Sequence, residues 1–398
     1  LYLSVPDVLG GAVRTEDATG GKVYYLTSQW ETRMFRFGTR TTTTKTISWV
    51  YTDLWEIDPK TAQPVSRKRI KREKVNADQK AMGMEQGILW ARIPELVGIR
   101  LSDGVVIADK AKIEAKNPSM AGLFPKPPTT TFLTEAMQPL KFDPQAGMIV
   151  RLDDARLVRI DPLTLEATPH VAKKDETLPP VGVKVTSVAN GTDWYSFVRG
   201  MRGTGANGKE QWMGLLSEAD LEVFGSNRGL SHQMDFTTPS RQKLYRAEMK
   251  EVEEFYGKRM AYDRPVVLSE SPDFLMAGLL TSEGGTGAKG TALWKRDPDS
   301  VFVLSRDRLG NEGRALLARV SGPNGATVWS SRLPMASMSA WIPGERHAMM
   351  LGSDPSAERS PMAEKNDNAA MQVISIDLVT GEVHSFNPDL HRDFPVTP

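Results

Sequence analysis

The amino-acid sequence predicts an all-β fold: a β-propeller of about seven four-stranded blades, forming a single domain over residues 1–398. Three observations indicate this fold. A strand–turn–strand motif recurs in one register, its copies are spaced at blade-sized intervals, and the composition is typical of a globular protein. Hydrophobic residues make up 40% of the chain and charged residues 25%, which is ample for a packed core.

The motif has three clear copies. They are LWEIDPKTAQPV, LVRIDPLTLEAT and VISIDLVTGEVH, which begin at Leu54, Leu157 and Val373. Each copy has an alternating apolar run, an Asp, a Thr three residues later and a second alternating run, which predicts two strands joined by a tight turn. We expect Asp58, Asp161 and Asp377 to accept hydrogen bonds from backbone groups one to three residues on, and Gly381 to tolerate a positive φ.

Weaker copies fill the intervals between the clear ones. Their turns are predicted at Asp103-Gly104, near Asp220, near Asp273 and at Asn324-Gly325. Successive turns are then about 45 to 60 residues apart, a spacing typical of propeller blades. A blade alone leaves both faces of its sheet exposed, whereas a closed ring buries each face against a neighbour.

Closure of the ring is predicted to involve both chain ends. The last copy leaves only HSFNPDLHRDFPVTP before the end of the sequence, and its prolines disfavour a further long strand. The N-terminal segments LYLSVPDVLGGAV and KVYYLT supply the missing strands, so the N- and C-terminal segments share one closing blade.

Two segments depart from the pattern. Residues 239–260 place Leu244, Ala247 and Phe255 near a 3.6-residue period among charges, which predicts a helical or irregular insertion on the rim. The Pro-rich segment at residues 117–132 is predicted to be a loop that crosses one face of the ring.

The turn copies resemble the pyrroloquinoline-quinone-type propeller repeat, whose usual form is close to L-x-A-L-D-x-x-T-G-x-x-x-W. With VYYLTSQWETR, VFVLSRDRLGNEGRALLARV and VISIDLVTGEV, the chain is also similar to a group of proteobacterial membrane-anchored propeller proteins. The resemblance implies a bacterial envelope protein on the periplasmic side. Leu1 in place of Met favours a preceding segment, such as a signal peptide or membrane anchor outside residues 1–398.

The site residues of the quinone enzymes do not accompany the repeat. Those enzymes have a Trp at a fixed place in most blades, a vicinal cysteine disulfide and a carboxylate-bound calcium. This chain has no cysteine, and the Trp after the turn appears once, as Trp329. We therefore expect no cofactor and interpret Trp329 as a packing residue between blades.

Two glycine-rich stretches imitate nucleotide-binding motifs. Gly203–Lys209 follows a P-loop for seven positions, but Glu210 stands where Ser or Thr would hold Mg²⁺. Gly285–Gly290 fits G-x-G-x-x-G but precedes TALWKRDPDS, which does not predict a helix. Both stretches are interpreted as loops between strands.

The basic run RKRIKREK, from Arg67 to Lys74, has six cations in eight positions. Such a run attracts phosphates or anionic lipid headgroups locally, but on an outer strand it also prevents edge-to-edge pairing, which is the favoured interpretation. With 50 basic and 49 acidic residues, the net charge of +1 gives no overall attraction for nucleic acid.

No arrangement of residues in the sequence identifies an active site. The histidines form no H-x-x-x-H or H-x-H pair, so no metal site is predicted, and the catalytic residues stay unknown. The leading hypothesis is a non-catalytic propeller that acts as a protein-binding or scaffold subunit, with a partner that is a protein or membrane complex. The alternative is an enzyme with a small-molecule site in the central pocket, for example a quinone-dependent oxidoreductase.

Overall fold

A computed structural model gives the architecture of most of the chain. The residues described are 2–4, 6–15, 21–37, 43–74, 79–125, 139–143, 146–171, 197–198, 200–204, 210–223, 240–254, 257–280, 300–310, 312–358, 369–391 and 394–397. Over these residues the fold is all-β, and its strands form five sheets, none of which closes on itself. The predicted fold class is therefore confirmed at this level.

The first sheet contains strands from both ends of the chain. Its strands are β1 (Tyr2–Leu3), β2 (Asp7–Thr15), β3 (Lys22–Phe37), β4 (Thr43–Ile57), β5 (Pro64–Glu73) and β28 (Val396–Thr397). The order is β1-β3-β4-β5-β28, with β2 also on β3. All pairings are antiparallel except that of β28, which lies parallel to β5.

The second and third sheets are antiparallel meanders of four strands each. The second contains β6 (Lys80–Glu85), β7 (Ile88–Ile93), β8 (Glu95–Arg100) and β9 (Val105–Asp109); the third contains β10 (Leu140–Asp143), β11 (Gly147–Arg151), β12 (Leu157–Ile160) and β13 (Ala167–Pro169). Between them lie α1 (Lys110–Lys116) and a 3₁₀ helix (Pro118–Met120). The predicted loop at 117–132 thus begins as helix and turn, with Met120 and Phe124 buried, while residues 126–132 lie outside the described residues.

The fourth and fifth sheets complete the described strands. The fourth contains β14 (Phe197–Val198), β15 (Gly200–Thr204), β16 (Glu210–Leu216), β17 (Arg241–Glu254), β18 (Gly257–Tyr262), β19 (Val266–Val267), β20 (Phe274–Leu280), β21 (Ser300–Arg306), β22 (Ala315–Ser321) and β23 (Thr327–Arg332). The fifth is a meander of β24 (Ser337–Ile342), β25 (His347–Asp354), β26 (Ala370–Asp377) and β27 (Val383–Phe386). A cluster including Met213, Leu244 and Val303 packs one half of the fourth sheet, β15 to β19, against its other half, β20 to β23.

The three clear copies of the motif form the same turn. The carboxylates of Asp58, Asp161 and Asp377 each accept backbone N–H groups two or three residues on, at 2.7–3.1 Å. In each copy the Asp backbone N–H also bonds the carbonyl five residues on, and its carbonyl accepts the N–H four residues on. The predicted turn chemistry is confirmed in all three places.

The fourth residue after each Asp adopts the left-handed conformation that the turn requires. Its φ is 59° at Ala62, 62° at Leu165 and 79° at Gly381, as expected for the glycine. The predicted turn at Asn324-Gly325 has the same backbone hydrogen bonds, with Ser321 in the place of the Asp and a φ of 84° at Gly325. Local sequence therefore determines these turns independently of their surroundings.

Apolar clusters link the sheets face to face. One cluster joins the third sheet to the second, another joins the second to the first, and a third joins the fourth to the fifth. A further cluster packs Tyr25 and Trp55 of the first sheet against Leu351 and Val373 of the fifth. The beginning and the end of the chain are therefore brought together by packing.

The prediction of a helical or irregular insertion at residues 239–260 is wrong. The structure has strands there, β17 and β18, whose register runs from Met249 opposite Tyr262 to Glu254 opposite Gly257. Leu244 and Ala247 are three positions apart, which fits one face of a helix; in the strand they lie on opposite faces and pack in different clusters. The buried side of β17 therefore changes along the strand, and the sequence lacks the regular alternation that indicates a strand.

The expected strand–turn–strand near Asp220 is also different. After β16 the chain forms α2 (Glu218–Val223) because Ser217 and Asp220 form a reciprocal cap. The Ser217 hydroxyl accepts the Asp220 N–H at 3.3 Å, and the Asp220 carboxylate accepts the Ser217 N–H at 2.8 Å. This is a capping box, which favours a helix start over a hairpin turn.

We predict that Gly381→Ala destabilises the protein by about 2 to 3 kcal/mol, from the positive φ together with overpacking. A Cβ at this position would stand 2.7 Å from the ring of Trp329. Gly87→Ala is the matched control because its φ is 75° but nothing lies within 4 Å, so it should cost only about 1 kcal/mol. Urea denaturation measures the free energy of unfolding of both variants, and an equal loss of stability in the two would contradict the packing argument.

Candidate interaction surface on the first sheet

The hairpin of β3 and β4 extends beyond the strand that covers it. The two strands pair continuously from Val23 opposite Ile57 to Phe37 opposite Thr43, whereas β5 pairs with β4 only as far as Val50. Among the described strands, β4 from Trp49 outward pairs with β3 alone. The outer part of the hairpin is therefore a ribbon that projects from the sheet.

One face of this sheet combines arginines with aromatic rings. Alternation of side chains puts every second residue of a strand on this face, which we name the arginine–aromatic face. Its members are Tyr25, Thr27, Gln29, Glu31 and Arg33 of β3, Trp49, Tyr51, Asp53 and Trp55 of β4, and Arg67, Arg69 and Arg72 of β5.

A β-bulge allows three arginines of β5 to share this face. Arg69 pairs with Asp53 and Arg72 pairs with Tyr51, although residues three apart in a regular strand point to opposite sides. The register shifts between Thr52 and Asp53, so β5 has one extra residue at Ile70. The bulge therefore brings Arg72 into line with Arg67 and Arg69.

Each of these arginines lies over an aromatic ring of the neighbouring strand. The guanidinium carbon is 4.8 Å from the Trp55 ring centroid for Arg67 and 4.2 Å from that of Tyr51 for Arg69. Arg72 lies between two rings, 4.9 Å from Trp49 and 5.4 Å from Tyr51. Such cation–π contacts orient the guanidinium groups and leave their N–H edges available for other partners.

Arg33 extends this series to β3, with its guanidinium carbon 5.5 Å from the Trp49 ring centroid. Trp49 is therefore contacted by arginines from both neighbouring strands.

Asp53 is the buried acid of the face. It is 1% exposed and accepts two hydrogen bonds from Arg67, at 2.9 and 2.6 Å, and further bonds from Arg69. A buried carboxylate needs such partners because its desolvation is costly. Two arginines on one carboxylate leave an excess of positive charge at this position.

Glu31 is the second acid, and it bonds Tyr51 and Arg33. Burial alone would raise the pKa of Glu31, but these hydrogen bonds and the charges of Arg33 and Arg72 outweigh burial and hold the pKa below its ordinary value. Burial and the bond to Glu31 raise the pKa of Tyr51. Glu31 is thus a carboxylate at neutral pH, and Tyr51 keeps its proton.

Exposure increases along the face from its inner to its outer end. Tyr25 and Trp55 are fully buried at the inner end, where the Trp55 ring centroid is 5.9 Å from those of both Phe386 and Phe394. The Arg33 side chain is 48% exposed, and Arg72 is exposed as well. The inner end therefore stabilises the fold, while the outer end is open to a partner.

The sequence-based interpretation of the basic run needs correction. Edge protection does not account for Arg67 and Arg69, because their side chains lie across the sheet face on Asp53 and Arg67 is only 5% exposed. Part of the β5 edge is also covered, since Val396 of β28 pairs with Arg67. The run alternates between two environments, and Lys71 on the other face bonds the Ile93 carbonyl at 3.0 Å.

The other predicted residues lie elsewhere. Trp329 packs between the fourth and fifth sheets, as interpreted, with its Nε1 donating to the Leu378 carbonyl at 3.3 Å. Of the first glycine-rich stretch, Gly203 and Thr204 lie at the end of β15, and residues 205–209 lie outside the described residues. The second stretch, Gly285–Gly290, lies entirely outside them. His384 lies 3.4 Å from Glu382, and the ring of His391 contacts that of Phe386.

The part of the chain that the structure describes contains neither a group of metal-binding side chains nor a helix fit to span a membrane. No three His, Cys, Asp or Glu side chains there are grouped so that they could hold a metal ion. No described helix combines the length and the apolar composition needed to cross a membrane.

Comparison with known proteins does not assign this chain to a family. No protein-family model matches the chain, and a search of curated proteins found no match.

Sequence reasoning missed the aromatic half of the face. The segment SWVYTDLWEI places Trp49, Tyr51, Asp53 and Trp55 at a strict period of two, which is the signal of one strand face. The basic run was considered alone, without this neighbour. The strands β4 and β5 are joined by the first clear turn of the repeat, so that their pairing could have been inferred.

We predict that Asp53→Asn lowers the free energy of unfolding by about 3 to 5 kcal/mol, because it leaves Arg67 buried without its counter-ion. Asp103→Asn is the control, since Asp103 pairs with Arg100 at an exposed turn, and it should leave stability unchanged. Urea denaturation of both variants measures the difference. A loss at Asp53 no larger than that at Asp103 would contradict the structural role of the pair.

Proposed function

We propose that the chain is a β-propeller that acts as a non-catalytic, protein-binding or scaffold subunit of the bacterial cell envelope, on its periplasmic side. The recurring turn supports the ring architecture, as does the packing of the first sheet on the second and fifth, of the second on the third and of the fourth on the fifth. If the two halves of the fourth sheet are counted separately, the described strands form six groups, each about the size of a propeller blade. The expected number of about seven blades stays a prediction.

The projecting hairpin of β3 and β4 is the observation that favours binding of a protein. Its outer part presents Arg33, Met34, Phe35 and Trp49, with Met34 69% exposed. Arginine, methionine and aromatic residues are the types enriched in protein interfaces. A ribbon that projects from the sheet can present both of its faces to a partner.

A rigid base makes this ribbon suitable for recognition. The strands that project are continuous with the buried core of the first sheet, where Tyr25, Leu26 and Trp55 are fully buried. A partner that binds the outer part therefore meets strands already fixed in their register, which lowers the entropic cost of association.

We predict that a photo-crosslinking amino acid in place of Met34, introduced in cells of the source organism, forms a discrete adduct with one envelope protein. Leu163 is the matched control, because it is 64% exposed but lies in a turn of the third sheet. Crosslinking at position 163 should give no such adduct. Equal adducts at both positions, or none at position 34, would contradict binding through the hairpin.

A further inference from the structure

Arg72 differs from the other arginines of the arginine–aromatic face in its partners. Arg67 and Arg69 bond Asp53, and Arg33 bonds Glu31. Among the described residues, Arg72 forms no ion pair, and its contacts are the two aromatic rings of Trp49 and Tyr51. It is an exposed, charged side chain whose hydrogen-bonding groups are not used by its own sheet.

The two rings fix Arg72 in a geometry suited to a carboxylate. Stacking restricts the long side chain before any ligand arrives, so that little rotational entropy is lost on binding. A guanidinium presents parallel N–H groups that match a carboxylate bidentately.

The charges near Arg72 favour a ligand with a few negative groups. Four guanidinium groups and two carboxylates give the named members of the face a net charge of +2, and the exposed Lys45, opposite Phe35 farther out on the same face, raises this to +3. Polybasic sites for lipid headgroups use clusters of about four to eight cations, and nucleic-acid sites neutralise many phosphates. Glu31 and Asp53 each neutralise part of the positive charge of the face, so its net charge is lower than that of such sites.

Apolar side chains farther out along the hairpin than Arg72 favour a polypeptide as the ligand. The same face continues outward along the hairpin to Phe35, which is 38% exposed, and to Ile47, which is partly exposed. A segment that alternates acidic and apolar residues would satisfy both features, with carboxylates on the arginines and apolar groups on the outer ribbon.

We propose that the outer part of the arginine–aromatic face, centred on Arg72, binds an acidic segment of the protein partner. This rests on the proposed protein-binding function and specifies the chemistry of the partner. Arg72 binds a carboxylate of the segment bidentately, and Arg33 and Arg69 on either side add longer-range attraction. Because these charges are exposed, the affinity falls as salt concentration rises.

The test uses the purified full chain and a short fluorescein-labelled peptide in which Glu alternates with Leu. Fluorescence anisotropy should show binding that weakens at least about tenfold in Arg72→Gln, the loss expected for a charge-assisted bidentate pair. Arg72→Lys should retain only part of the affinity, because lysine keeps the charge but not the bidentate geometry. Arg308→Gln is the matched control, since Arg308 is an exposed arginine in the segment after β21 and its loss changes the net charge equally.

Three results would overturn this proposal. The first is equal affinity of Arg72→Gln and Arg308→Gln for the Glu–Leu peptide. The second is unchanged binding when the peptide carries Gln in place of Glu. The third is binding to phosphatidylglycerol vesicles that depends on Arg72 and is tighter than binding to the peptide. Circular dichroism and the melting temperature should be unchanged in Arg72→Gln because its side chain is exposed.

Failure here is distinguishable from failure of the proposed function. If the adduct at position 34 forms while Arg72→Gln leaves peptide binding intact, a partner is bound without acidic recognition and this proposal alone is wrong. If no adduct forms at position 34, binding of a protein partner through the hairpin, on which this proposal rests, is contradicted.

Discussion

Packing of the first sheet against the fifth is the constraint on which the rest of the structure depends. Trp55 fills the centre of this contact, and its indole N–H is satisfied by the Thr27 hydroxyl at 3.0 Å. Polar groups bridge the same two sheets: the Ser375 hydroxyl bonds the Pro59 carbonyl, and Arg14 donates to the His347 carbonyl at 2.7 Å. Residues more than 300 positions apart are thereby held together, which a chain of successive sheets alone would not do.

The arginine–aromatic face depends on this contact at its inner end. Arg67 is buried because β28 pairs along β5 and Phe394 packs on Trp55, which removes water from the Asp53 ion pair. Buried pairs of this kind hold strand register more than they add stability. The exposed arginines at the outer end lie on the same strands and in the same register. The buried core therefore positions a surface that is not itself buried.

Sequence predicts the parts of this fold that depend on nearby residues. The turns after Asp58, Asp161 and Asp377 were predictable because their carboxylates bond groups within three positions. β17 was not predictable, because its buried side changes between Leu244 and Ala247, which removes the two-residue period. The face was predictable only in part: the basic run was visible, but the bulge at Ile70 that aligns Arg72 is set by pairing with another strand.

The most direct test of the account is the distance between the first and fifth sheets. Spin labels on Lys60→Cys and Val379→Cys would be the only thiol-linked labels, because the chain has no cysteine, and both side chains are exposed. The Ser375 hydroxyl, two residues before Asp377, bonds the carbonyls of Pro59 and Lys60, which places the two turns side by side. Double electron–electron resonance should give one narrow, short distance that broadens only in denaturant. A broad distribution in native buffer would contradict closure of the chain through these sheets.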